Sequence, residues 1–217
     1  MDWDDAYRQQ AAFTGPPPWN IGEPQPELAR IISAGDVRDD VLDAGCGHAE
    51  LGLTLAARGH TVVGIDLSPT AVSAATKAAA DRGLRNATFV CADITSFTGY
   101  DGRFATIFDS TLFHSLPVEG RDGYLRSIHR AATPGARYYV LVFALGAFPA
   151  DLPTKPHEVS EPELRDAVSK YFAVQKIRPA WIHVNTPEGM PIPDDAPRDD
   201  KDRPKMAAHL LIAHRAD

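Results

Sequence analysis

Apolar residues fall along this chain in short runs that alternate with amphipathic stretches, and the alternation reads strand, helix, strand. Val41 to Asp43, Thr61 to Asp66, Ala87 to Cys91 and Phe104 to Asp109 are runs of strand length. Ala136 to Phe143 is continuously apolar, β-branched or aromatic, as expected of a strand covered on both faces. Helical spacing appears from about Pro26 to Ser33, with Leu28, Ile31 and Ile32 on one face. A second helix ends at Arg58-Gly59, and a third runs from Pro69 to Arg82 behind Ser68 as N-cap. A fourth near Glu119–Ala132 lines up Leu125, Ile128 and Ala132, and Ser160-x-x-Glu163 is a capping box for a helix to about Lys170. Two closing strands, Ala173 to Ile182 and Met206 to Ala213, have no helix between them, so the last is expected to be antiparallel. The expected fold is α/β: a three-layer sandwich on a seven-stranded, mostly parallel sheet, forming one domain over residues 1–217.

The stretch from Val41 to Asp66 carries the most chemistry. An apolar strand meets a glycine turn, a helix follows, and a second strand closes on an acid, the outline of a nucleoside half-site in a Rossmann-like sheet. Backbone at Gly45 and Gly47 can approach a ligand because no Cβ intervenes. Asp66, at a strand tip, can accept from two ribose hydroxyls. A dinucleotide site wants Gly-x-Gly-x-x-Gly around a pyrophosphate. Here Gly45-Cys46-Gly47 is followed by His48, Ala49 and Glu50, and Glu50 would repel a pyrophosphate. With Asp43 two residues before the turn, the pocket is acidic and suits a cation. S-adenosylmethionine (SAM), with its sulfonium and ammonium, is favoured over a dinucleotide.

Bulk properties narrow the partners. The 217 residues carry a formal charge of -7, which disfavours a phosphate-backbone partner and hence nucleic acid. No apolar run reaches membrane-spanning length, and the acidic Met1–Asp5 start is no secretory signal. Cys46 and Cys91 make neither a metal spacing nor a disulfide framework, so buried thiols in a cytoplasmic protein are expected. His48, His157 and His183 are not spaced as a metal set, and no metal is expected. Residues 1–25 read as irregular and proline-rich, and Asn185–Lys205 reads equally as a solvated loop or a binding loop.

Four signatures in order resemble the class I SAM-dependent methyltransferases: Val41–Gly47, Gly64–Ser68, Cys91–Ile94 and the strand-end Asp109. The chain departs from them at Ala49, where many members have a third glycine. A narrower resemblance, to small bacterial thiopurine-type methyltransferases including those acting on hydroxylated quinolones and other toxic heterocycles, rests on Asp109-Ser110-Thr111-Leu112-Phe113-His114 and on Pro17–Pro26. The resemblance implies that Asp43, Gly45, Cys46 and Gly47 line the methionine part of SAM, Asp66 holds the ribose and Leu67 packs on the adenine. It implies that Asp93 accepts from the adenine amino group, Ile94 covers the other ring face, and Asp109 and Ser110 sit near the ammonium. It further implies that residues 1–33, with Trp19, fold over the cofactor as a lid, and that 183–205 form an insertion loop before the last strand. S-adenosyl-L-homocysteine would be the product.

Methyl transfer is an in-line displacement, in which the protein mainly aligns the acceptor and excludes water. His114 follows the fourth strand and is the candidate base, the alternative being a packed histidine bonded to backbone. Trp19, Phe113, His114 and Trp181 are candidates for the acceptor site, with plain packing as the alternative for each aromatic. The expected activity is methylation of a small aromatic or heterocyclic acceptor, most simply at a hydroxyl. The competing readings are another acceptor class (thiol, quinone, sugar, protein or RNA) and a non-catalytic SAM-binding protein.

Overall fold

A computed structural model describes residues 3–8, 17–150, 152, 156–186, 192, 193 and 195–216. Thirteen elements follow in chain order: α1 (Trp3–Tyr7), α2 (Pro26–Ser33), β1 (Val41–Ala44), α3 (Glu50–Ala57), β2 (Val62–Asp66), α4 (Pro69–Asp81), β3 (Ala87–Cys91), β4 (Phe104–Ser110), α5 (Arg121–Ala131), β5 (Ala132–Phe143), α6 (Glu161–Val168), β6 (Ala173–His183) and β7 (Lys205–His214). The strands form one sheet in the order β3-β2-β1-β4-β5-β7-β6. β1 to β5 pair in parallel, and β7 runs antiparallel to both β5 and β6. Crossover helices bury the strands from both sides: α5 and α6 supply Leu125, Ile128, Leu164 and Val168 to one face, α2 and α3 supply Leu28, Ile32, Leu51 and Leu55 to the other. The order reverses between β1 and β4, which opens a crevice at the carboxyl ends of those strands.

The local reasons for the elements are those read from the sequence. Ser68 Oγ accepts from Ala71 N at 3.1 Å and starts α4, with Pro69 in the first turn. Ser160 and Glu163 form the reciprocal capping box of α6. Three expectations need correction. Residues 3–7, expected to be irregular, are helical. β5 begins at Ala132 rather than Ala136, because a register shift opposite Phe104–Thr106 takes in Pro134 and Gly135, residues that pattern reading excludes from a strand. Cys91, expected to be a buried thiol, is exposed at the end of β3.

Candidate functional site

The crevice holds a cleft of about 490 Å3 whose floor is made by the tips of β1, β2 and β4. Asp43, next to last in β1, is 2% exposed, and its Oδ2 accepts from Gly52 N at 3.0 Å, tying strand to helix. Burial, together with the charges of Asp66 and Asp109, pushes its carboxyl up to about 7. The chain then turns through Gly45 (φ +65) and Gly47 (φ +52), both in the left-handed region. A Cβ at Gly45 would stand 2.7 Å from Leu112 Cδ1, and one at Gly47 would collide with the Tyr7 hydroxyl. Ala49 occupies the left-handed conformation as well (φ 60), so the backbone keeps the shape of a third glycine without having one.

Asp66 closes the second side. Its Oδ2 accepts from Gly47 N at 2.8 Å and its Oδ1 from Ser68 N at 2.9 Å, leaving a lone pair on each oxygen. Leu67 lies beside it at 59% exposure, an apolar platform on an otherwise folded edge. Asp93 Oδ1 accepts from Thr95 N and Thr95 Oγ1 at 2.8 and 2.7 Å, and Ile94 is buried next to it. At β4, Ser110 and Thr111 complete the wall, with Thr111 at φ +75, a strained position for a β-branched residue.

A roof crosses this floor. Trp3 and Trp19 meet edge to face at 5.9 Å, and Tyr7 meets His48 the same way at 5.0 Å. Asp4 Oδ1 accepts from Ser68 Oγ and Thr70 N at 2.6 and 3.0 Å, which docks α1 on the start of α4. Asn20 Oδ1 accepts from Gly22 N, so its Nδ2 faces His48 Nδ1 at 2.7 Å and the histidine proton sits on Nε2. The segment before β7 holds this roof from behind. Gln25 exchanges two bonds with the His183 backbone (2.8 and 2.9 Å), and Asn185 Nδ2 donates to Asn20 O at 2.7 Å. Arg203 bridges Glu23 and Asp199 at 2.7 Å each, and His183 Nδ1 stands 2.7 Å from Asp199. Burial works against the Asp199 charge, yet the bonds from His183 and Arg203 hold its carboxyl well below the ordinary value.

Trp19, Asp43, Gly45, Cys46, Gly47, Asp66, Leu67, Asp93, Ile94 and Ser110 therefore all line one cleft. Four other candidates do not. Asp109 is fully buried, its carboxylate taken by Tyr124 Oη (2.8 Å), Leu112 N (2.8 Å), Phe113 N (3.1 Å) and Tyr138 Oη (3.5 Å). Burial raises that carboxyl to about 7, and it faces the core rather than a ligand's ammonium. Phe113 is core, stacked under the Arg121 guanidinium at 4.7 Å. His114 is 5% exposed and outside the cleft; its Nδ1 accepts from Phe143 N at 3.3 Å, and burial followed by the Arg121 and His157 charges depresses it to about 3. Trp181 lies on β6 beneath Lys205 Nζ, away from the cleft. Conversely, Trp3, Tyr7, Asn20 and Glu119 line the cleft without having been singled out. The i, i+4 spacing of Trp3 and Tyr7 was the available signal for the first two.

The cradle that a Cβ would fill, the strand-tip carboxylates with open lone pairs and the lack of any Lys or Arg among the described lining residues all suit a cationic nucleoside. Residues 41–135 match a family described as a methyltransferase domain. Over 185 residues the chain is 58% identical to the 2-heptyl-1-hydroxyquinolin-4(1H)-one methyltransferase of Mycobacteroides abscessus, covering 84% of this chain and 81% of that protein. The chain belongs to the SAM-dependent methyltransferases. Among solved structures, this methyltransferase is similar to one described in "Conversion of a Disulfide Bond into a Thioacetal Group during Echinomycin Biosynthesis", with a TM-score of 0.84 and 32% identity, over 99% of this chain and 91% of that one. The Burkholderia thailandensis 1,6-didemethyltoxoflavin-N1-methyltransferase, solved with its substrate and S-adenosylhomocysteine, shares the fold at a TM-score of 0.63 and 22% identity, over 88% of this chain and 77% of that one.

Proposed function

We propose that this methyltransferase methylates a small, flat heteroaromatic compound at a hydroxyl group. The observation that carries the acceptor class is the 58% identity, over most of both chains, to a methyltransferase named for a hydroxyquinolone. Support comes from the cleft itself, whose mouth is walled by the Trp3–Trp19 pair and by Leu112 and Leu116. SAM bound there supplies a methyl group already activated on a sulfonium. Asp66 would offer its open lone pairs to the ribose hydroxyls, Leu67 and Ile94 would supply apolar faces for the adenine, and Asp93 would accept from the adenine amino group. Asp43 and the Gly45–Gly47 turn receive the methionine end, with Ser110 beside it.

The roof excludes water and fixes the acceptor, the contribution that dominates when the leaving group is already activated. An acidic heteroaromatic hydroxyl can lose its proton to solvent before the roof covers it, so that its oxygen would take the methyl group as the sulfonium S–C bond breaks. In this reading residues 3–8 and 17–33 form the lid and 183–186 and 195–205 its brace; residues 9–16 of the expected lid and 187–191 of the expected insertion loop lie outside the described residues. His114, sealed against Phe143, takes no part in proton transfer. The two free thiols and the acidic surface suit a cytoplasmic enzyme on small molecules rather than on nucleic acid. Among the described residues no helix is long and apolar enough to cross a membrane.

A panel of hydroxyquinolones, phenols and thiols incubated with SAM tests the reading. The expected result is methylation of hydroxyquinolones, with kcat/KM at least about tenfold above that of simple thiols. Preferred turnover of thiols would replace it with sulfur methylation, the reading favoured by the similarity to the structure described for disulfide-to-thioacetal conversion.

A further inference from the structure

The turn after β3 is held from behind by α5, and the hold ends on a carboxylate in the cleft wall. Asp93 is an exposed side chain, free by itself to take several rotamers. Thr95 fixes it: Oδ1 accepts from both Thr95 N (2.8 Å) and Thr95 Oγ1 (2.7 Å), while no described residue bonds Oδ2. Thr95 is anchored in turn. Its carbonyl accepts from Ser127 Oγ at 2.8 Å, and Ser127 is buried on α5. A Cβ on Gly123, one helical turn earlier, would stand 3.2 Å from the same carbonyl oxygen, so glycine lets the helix close on Thr95. Gly120, Gly123 and Ser127 share a helix face by their spacing. Further along α5 the Arg130 guanidinium donates to Phe97 O and pins the far end of the turn. Asp93 and Thr95 both line the cleft.

We propose that Thr95, anchored on α5, is a positioning residue that holds Asp93 for an exocyclic amino group, so that the cleft selects aminopurine over oxopurine nucleosides. The inference rests on the adenine reading of Asp93 given above. A carboxylate only accepts hydrogen bonds, so it pairs with the amino group of adenine and repels the oxygen that hypoxanthine carries in its place. Beside that oxygen hypoxanthine has an N1–H, which a freely turning carboxylate can follow. A carboxylate bonded twice through Oδ1 is held where the amino group belongs, and the oxopurine leaves it unpaired. The Thr95 hydroxyl therefore contributes to the choice of base more than to binding as a whole.

Two ligands test this by calorimetry, without turnover: S-adenosylhomocysteine and its deaminated counterpart, S-inosylhomocysteine. The wild-type protein is expected to bind the adenosyl ligand about thirtyfold or more tightly. Thr95→Val removes the hydroxyl and keeps the backbone N–H, and is expected to cut that ratio about fivefold. Thr95→Ala takes its place should the valine variant not fold. Thr95→Ser restores the hydroxyl and is expected to hold the ratio within about twofold of wild type. An unchanged ratio without the hydroxyl, or an equal loss in Thr95→Ser, overturns the role of Thr95 and leaves Asp93 as the adenine partner. Equal binding of the two ligands by the wild-type protein overturns the adenine reading of Asp93 together with it.

Discussion

The floor and the roof of the cleft are built by different means. On the floor, each carboxylate is fixed by backbone N–H groups one turn or one strand away: Asp43 by Gly52, Asp66 by Gly47 and Ser68, Asp93 by Thr95. The sheet sets their positions, so the floor is preorganised before any ligand arrives. In the roof, side chains reach between segments more than 150 residues apart, as Gln25 does to His183 and Glu23 to Lys201 and Arg203. If the proposed division holds, with the cofactor on the sheet and the acceptor under the roof, such a cleft can change acceptor without losing cofactor.

The sharpest break in that comparison lies under the floor. Asp109→Ala takes the acceptor from Tyr124 Oη and from two backbone N–H groups, leaving Tyr138 Oη its bond to Tyr124 Oη, and is expected to cost about 3 kcal/mol of stability in denaturant unfolding. Asp109→Asn keeps an acceptor for the backbone groups and is expected to retain SAM affinity within about threefold. A large loss of SAM affinity in the folded Asn variant would show that the charge reaches the ligand after all. Next in size is Gly45→Ala, which adds a left-handed alanine and a contact against Leu112 at 2.7 Å. Strain of about 2 kcal/mol is expected to appear chiefly as weaker SAM binding in calorimetry.

Asp43 gives a floor effect that pH can read. Its carboxyl ionises near 3.8 in the unfolded chain and near 7 in the fold. Between those values the folded state keeps a proton that the unfolded chain has lost, so the stability of the ligand-free protein falls as pH rises from about 4 to 7 and levels off above. SAM affinity should move the opposite way, tightening from about pH 5 to 7 as Asp43 gains the charge that faces a cation. Asp43→Asn is expected to flatten part of both trends, Asp66 and Asp109, whose carboxyls burial also raises, contributing to the rest. The smallest effect belongs to the roof. Asp199→Ala frees Arg203 and is expected to raise acceptor KM a few-fold, with SAM affinity nearly constant and a stability change of about 1 kcal/mol. Equal losses for acceptor and SAM would erase the distinction between roof and floor.

What could be read in the sequence follows the same division. The succession of strands and helices, the glycine turn and the place of Asp66 at a strand tip were legible because period, turn chemistry and cap residues are local signals. Asp109 and His114 were misplaced because a strand end offers two directions, into the cleft or into the core. Only the tyrosines 15 and 29 residues downstream of Asp109 decide between them. Phe113 and Trp181 are aromatic residues whose packing partners are equally remote in sequence. The brace that joins Asn20, Glu23 and Gln25 to His183, Asn185, Lys201 and Arg203 was invisible because its bonds join polar loops that carry no periodicity.

The placement of β7 has a consequence for synthesis. β6 makes no ladder with β5; it is joined to the sheet through β7, which is the later of the two in sequence. A nascent chain that has emerged as far as β6 therefore carries two open strand edges at once, the outer edge of β5 and the whole of β6. The β5 edge and the inner edge of β6 close only when β7 slides between them, and the outer edge of β6 stays the edge of the sheet. His183 and Gln25 meet across the end of that last-formed seam, so the order of translation makes the roof over the cleft the final part to be anchored.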